Sequence, residues 1–212
     1  MSTPRLTVLI PLLTFCVLSR VPSFRASVDP DVGWYLWNFS PLLALVLFSG
    51  AVYRGFVWAA VAPIAAYLLG DLAVWIASGD VTQAFYAGSI CTYAGLLAVL
   101  VCGVWLRRGE RSWGRIALSS LSGAVLFFLI SNFGSWAFDP LLPQPTGYAR
   151  SLAGLGQSYL AAIPFFRGDL ASLFLFTSLF FSPWGMVAMT RERAATAASD
   201  ALLSTETVRE LA

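Results

Sequence analysis

Apolar residues along this chain come in runs too long for one face of a soluble helix, with brief polar punctuation between them. Six runs stand out, at residues 6–18, 41–53, 56–77, 87–106, 116–138 and 170–189. A helix needs roughly 17–25 mainly apolar residues to cross a bilayer, and the last four runs meet that length. The first two are short and draw on flanking residues or a locally thinned bilayer. Arg54-Gly55 separates the second run from the third. Fusing those two into one helix would bury Arg54 mid-membrane at a cost of several kcal/mol. The pattern therefore predicts an all-α bundle of six transmembrane helices over residues 1–189. The remainder, 190–212, mixes Arg191, Glu192, Arg193, Asp200, Glu206, Arg209 and Glu210 with alanine and leucine, and reads as a short solvated helix.

Arg5 ahead of the run 6–18 has the outline of a secretion signal. Ser19-Arg20-Val21-Pro22 stands where a small-residue cleavage site would be expected, so the run is read as the first membrane helix. Sidedness comes from arginine. With both termini inside, Arg5, Arg54, Arg107, Arg108, Arg111, Arg115, Arg191, Arg193 and Arg209 lie on the inner side. Arg20, Arg25, Arg150 and Arg167 lie outside, and this bias obeys the positive-inside rule. The location expected is a bacterial cytoplasmic membrane.

Two outer connections are long. Residues 21–40 carry Trp34, Tyr35, Trp37 and Phe39, an interfacial aromatic belt or a flap over a ligand. Residues 139–168 are rich in proline and glycine, and 151–163 is expected to form a separate helix on the outer surface.

Composition removes whole classes of function. Hydrophobic residues make up 58% of the chain and charged ones 11%, against about 45–50% and about 25% in soluble domains. All 13 cationic side chains are arginine; lysine and histidine are absent. Zinc, haem and di-iron sites thus lose their commonest ligand, and catalytic triads their usual base. A formal charge of +2 gives no basic face for nucleic acid. No H-E-x-x-H, P-loop or G-x-S-x-G is present, and no chain of carboxylates crosses the spans as a proton relay. An enzyme is therefore poorly supported. Cys16, Cys91 and Cys102 form no C-x-x-C pair. Cys91 and Cys102 share a predicted helix about 16 Å apart, too far to bridge, and all three read as small apolar residues.

Small residues mark the packing seams. Ala59, Ala62, Ala66, Gly70 and Ala73 share a stripe on the third span, and Cys91, Gly95, Ala98 and Cys102 on the fourth. Such stripes let helix backbones approach closely. Polarity gathers elsewhere, beneath the outer ends of the spans. Asp71 sits about 9 Å below the outer end of the third span; Asn132, with Trp136 a turn above, is placed similarly on the fifth. Cys91 and Tyr93 enter the fourth from the same side, and Tyr159, Arg167 and Asp169 lead into the sixth. An ionisable group within a span is costly and points to function. Asp71 is either such a group or one half of an ion pair with Arg167. Asp169 reads as an N-cap of the sixth span, and Asn132 as a ligand contact or an interhelical hydrogen bond.

Four stretches carry a family resemblance: Asn38-Phe39-Ser40-Pro41, Gly70-Asp71-Leu72, Asn132-Phe133-Gly134-Ser135-Trp136, and Ala161-Ala162-Ile163-Pro164-Phe165-Phe166-Arg167-Gly168-Asp169-Leu170. Over roughly residues 38–185 the chain resembles a family of small bacterial six-helix membrane proteins labelled as transport proteins. That family is similar to the substrate-binding S components of energy-coupling-factor vitamin transporters, and includes a solitary cobalamin transporter. The resemblance implies substrate capture from outside, in a pocket at the outer helix ends, with toppling rather than ion-driven alternating access. In the cobalamin member a membrane cysteine ligates cobalt, which makes Cys91 a conditional ligand, set against its place in the small-residue seam. S components that dock on a shared energising module carry Ala-x-x-x-Ala on the first helix. Residues 6–18 contain no alanine, which speaks against such a partner and towards a solitary protein.

The expected function is capture and uptake of a small molecule, a vitamin such as cobalamin among the candidates. Asp71, Asn132, Tyr159 and Arg167 would supply polar contacts, and Tyr93 and Trp136 aromatic walls. A non-transporting scaffold whose polar cluster only locks helices is the second reading, and a membrane enzyme using Cys91 the third.

Overall fold

The computed structural model describes residues 6–28, 38–53, 55–110, 112–142 and 145–190, and among them every regular element is helical. In chain order these are α1 (Leu6–Val28), α2 (Leu42–Val52), α3 (Phe56–Ser78), α4 (Val81–Ala84), α5 (Ser89–Arg107), α6 (Trp113–Ala137), a 3-10 turn at Asp139–Leu141, α7 (Leu152–Phe181) and α8 (Pro183–Thr190). Among the described residues four stretches are long and apolar enough to cross a membrane: Ala59–Ser78, Val81–Arg107, Trp113–Ala137 and Leu152–Phe181. Trp34, Tyr35, Trp37, Arg54 and the tail 191–212 lie outside the described residues.

Helix α2 organises the bundle. It is apolar on every side, the signature of a fully enclosed helix, and each residue from Leu42 to Ala51 is buried. Helices α3, α5, α6 and α7 pack around it. Its 11 residues reach only about 16 Å, roughly half the hydrocarbon thickness. Two glycines let it press against α5. A Cβ on Gly50 would stand 2.4 Å from the Leu100 carbonyl oxygen, and one on Gly103 would stand 2.2 Å from that of Leu47. On the other side, Phe48 meets Phe180 and Phe181 of α7 edge-on, with centroids 5.8 and 5.2 Å away. Along the predicted seams Ala59, Ala66, Gly70 and Gly95 are buried, and Ala62, Ala73, Cys91, Ala98 and Cys102 are half-buried.

Two elements depart from the sequence expectation. Helix α1 does not end near Leu18; it continues through Arg20 and Pro22 to Val28. A proline within an apolar helix is tolerated where neighbouring groups re-satisfy the freed backbone, and Arg20 is neutralised within the bundle. The expected surface helix at 151–163 and the sixth span are one helix, α7, whose 30 residues run unbroken past Pro164 and Gly168. Ser151 caps its start by accepting from the Gly154 N–H. Asp169 is therefore an interior residue of α7 and not an N-cap. The helix stops at Ser182-Pro183, where Ser182 accepts from the Gly185 N–H at 3.0 Å and opens α8.

Candidate functional site

Because α2 begins only at Leu42, the middle of the bundle is filled at one end and open at the other. Chain entering α2 is tied to mid-height on α1: the Ser19 and Ser40 hydroxyls lie 2.9 Å apart. Asn38, just above, takes a left-handed conformation with φ 60°, which asparagine tolerates better than most residues. Its N–H donates to Ser23 Oγ at 3.1 Å, Ser23 donates back to its side-chain oxygen at 3.2 Å, and its Nδ2 donates to Asp169 Oδ2 at 3.4 Å.

Over this plug lies a cavity of about 440 Å³ bounded by α1, α3, α5, α6 and α7, within the size range of small-molecule sites. Ser23, Asn38, Ser131, Asn132 and Asp169 are among its polar wall groups, and Phe24, Phe127, Phe128, Phe165 and Phe166 among its aromatic ones. Gln83, Tyr86 and Leu142 line it near the α4 end.

One wall carries an ion pair. Gly70 leaves room for α1 to cross α3: a Cβ there would lie 2.6 Å from Arg20 Cγ. The arginine stem passes through that gap and its Nη2 reaches Asp71 Oδ1 at 2.6 Å. The guanidinium also stands 4.6 Å over the Tyr67 ring and donates to the Tyr67 hydroxyl at 3.3 Å. Tyr93 donates to the second Asp71 oxygen at 3.4 Å, with its ring edge-on to Tyr67 at 5.1 Å. Asp71 is only 1% exposed, so its charge depends on these donors. Arg20 Nε is buried without a partner.

Residues 1–198 match DUF6580, a family of unknown function. The chain belongs to that family. No curated protein and no solved structure matches it.

The predicted site residues of this DUF6580 protein fall into separate groups. Asn132 lines the cavity, its Nδ2 donating to the Phe128 carbonyl at 2.8 Å. Asp71 and Tyr93 form the layer behind Arg20 and Tyr67, which themselves face the cavity. Arg167 is not the partner of Asp71; it is exposed on α7, and Arg20, placed on the outer side by sequence, takes that place. Trp136 and Tyr159 tie α6 to the loop after it and to α7. Trp136 Nε1 donates to the Ala149 carbonyl at 2.9 Å, and the Tyr159 hydroxyl donates to that of Leu129 at 3.2 Å. Cys91 packs on Gly134, where a Cβ would come within 2.4 Å of the cysteine Cβ. Among the described residues no group of three His, Cys, Asp or Glu converges as a metal site.

Sequence reasoning missed Arg20, Tyr67, Ser23 and Asn38 as wall groups. Gly70 directly before a buried Asp71 was the available signal for Arg20, since a gap beside an acid suits a long cation. Asn38 lay inside one of the stretches that carry the resemblance but had no role assigned to it.

At the rim, Asp139 organises the turn after α6. Its carboxylate accepts from the Thr146 N–H at 2.8 Å, the Gly147 N–H at 2.9 Å and the Thr146 hydroxyl. Burial alone would raise this carboxyl, but hydrogen bonds from Thr146, Gly147 and Tyr148 outweigh it and hold it below the ordinary carboxylate range.

Proposed function

We propose that this protein crosses the bacterial cytoplasmic membrane six times, with both termini inside, and captures a small molecule from the outer face for uptake. The observation that carries the reading is the cavity of about 440 Å³ left above the short α2, whose wall sets serine, asparagine, arginine and aspartate among aliphatic and aromatic side chains. A concave site of this size with convergent polar groups suits a small ligand, and a bundle needing only rigidity would gain by filling the space. Sidedness is supported by arginine: Arg107 donates to the Tyr53 carbonyl at the foot of α2, and Arg115 stacks 4.6 Å over Trp105 nearby. In this arrangement α2 is the deep half of the second crossing. Cobalamin ligated by Cys91 finds no support, because that side chain packs on Gly134; the cargo is held by the cavity's own groups. The Arg20–Asp71 pair favours the second reading, a scaffold in which polar contacts only lock α1 to α3.

Native mass spectrometry of protein extracted from its own membrane separates the two. Uptake predicts a small-molecule adduct on the wild type that disappears in Ser131→Phe, which fills the cavity. A folded wild type carrying no adduct, with unfolding unchanged by Ser131→Phe, would favour the scaffold.

A further inference from the structure

We propose that the cavity takes an organic monocation, an ammonium group on an aromatic or aliphatic body, with its charge at Asp169. This deepens the binding reading above and rests on it. The charges at and behind the wall decide the sign. Arg20 is matched by Asp71 at 2.6 Å, and that is the one ion pair among the described residues. Asp169 remains. It is 8% exposed, lines the cavity from α7, and receives a long 3.4 Å bond from the neutral Asn38 amide. A carboxylate has about four acceptor sites, so most of its capacity is open to a guest.

The nearest cation to Asp169 is Arg20, which shares the cavity but forms its ion pair with Asp71 instead. The chain has neither lysine nor histidine. Arg167, two residues earlier on α7, is turned about 200° around the helix and is exposed. A buried charge without a counter-charge is costly, and a cationic guest removes that cost. Phe165 and Phe166 precede Asp169 on the same helix, Phe128 packs on Phe166 with ring centroids 4.7 Å apart, and Phe24 and Phe127 line the same cavity. Aromatic faces attract ammonium groups, most strongly where water is excluded. An anion would instead meet the Asp169 carboxylate, while the guanidinium of Arg20 is engaged by Asp71 behind the wall.

The test uses the full chain in nanodiscs of zwitterionic lipid and three probes of similar shape: 2-phenylethylammonium, 2-phenylethanol and phenylacetate. The ammonium should raise the unfolding temperature saturably, and the alcohol and the carboxylate should not. In Asp169→Asn the half-saturating concentration of the ammonium should rise at least tenfold, while the unliganded protein unfolds no earlier than wild type. Should that variant fail to accumulate, Ser131→Phe keeps the carboxylate, removes only the space, and must abolish the shift. Equal affinity of Asp169→Asn and wild type for the ammonium overturns the proposal. A saturable shift from phenylacetate or phenylethanol alone, lost in Ser131→Phe, overturns the cation and leaves the binding reading standing. No saturable shift from any probe overturns both.

Discussion

Helices α3, α5, α6 and α7 border two very different interiors. Around α2 they close on ten consecutive buried residues, Leu42 to Ala51, and backbone meets backbone at Gly50 and Gly103. Above Leu42 they part around space, and their inner faces turn to serine, asparagine, arginine, aspartate and phenylalanine. Where the central helix ends, α1 joins the ring around the space. The length of α2 thus decides where packing gives way to a site. Tightness below is what lets the upper wall hold polar groups without collapsing onto them.

Breaking the boundary between the halves should cost most. Arg20→Met leaves Asp71 buried and unpaired, a loss of roughly 3–5 kcal/mol readable as a lowered unfolding temperature. Combining it with Asp71→Leu should recover most of that loss, because an apolar pair can replace a buried ion pair. A double variant as unstable as the single one would mean that the pair does more than neutralise itself. Within the lower half, Gly103→Ala drives a methyl into the Leu47 carbonyl and should cost roughly 1–3 kcal/mol. Ser135→Ala, at the cavity wall, should cost far less. Equal effects of the two alanines would erase the contrast.

The lower half was the more legible in sequence. Apolar runs, small-residue stripes and the break at Arg54-Gly55 are local signals, and the structure places α2, α3, α5 and α6 close to where those signals put them. The upper half was read less well, because its logic joins residues far apart in the chain. Arg20 resembles a loop arginine until Asp71, 51 residues later, takes its charge. Pro22 and Pro164 resemble helix breakers, yet both lie inside helices, since membrane bundles tolerate interior proline. Arg167-Gly168-Asp169 resembles a helix start, but Gly168 and Asp169 turn inward while Arg167 faces out. Of the residues that spacing grouped together, Asn132 and Asp169 line the cavity and Asp71 and Tyr93 lie behind its wall, while Trp136, Tyr159 and Arg167 do not line it.

The smallest effect concerns how the rim of the open half is held. Asp139 fixes the turn after α6 through hydrogen bonds to Thr146 and Gly147, where the closed half relies on packing. Its carboxyl lies below the ordinary range in the folded protein, against about 3.9 in an unfolded chain. A depressed folded value means the contribution is fully present above the unfolded value and is lost as pH falls through the folded one. Asp139→Ala should therefore lower stability by about 1 kcal/mol at pH 6, and its unfolding temperature should converge on that of wild type below about pH 4. Gly103→Ala should keep its deficit across the same titration, because a backbone clash carries no proton. If both deficits vanish in acid, the rim and the base share one mode of support and the contrast between the halves fails.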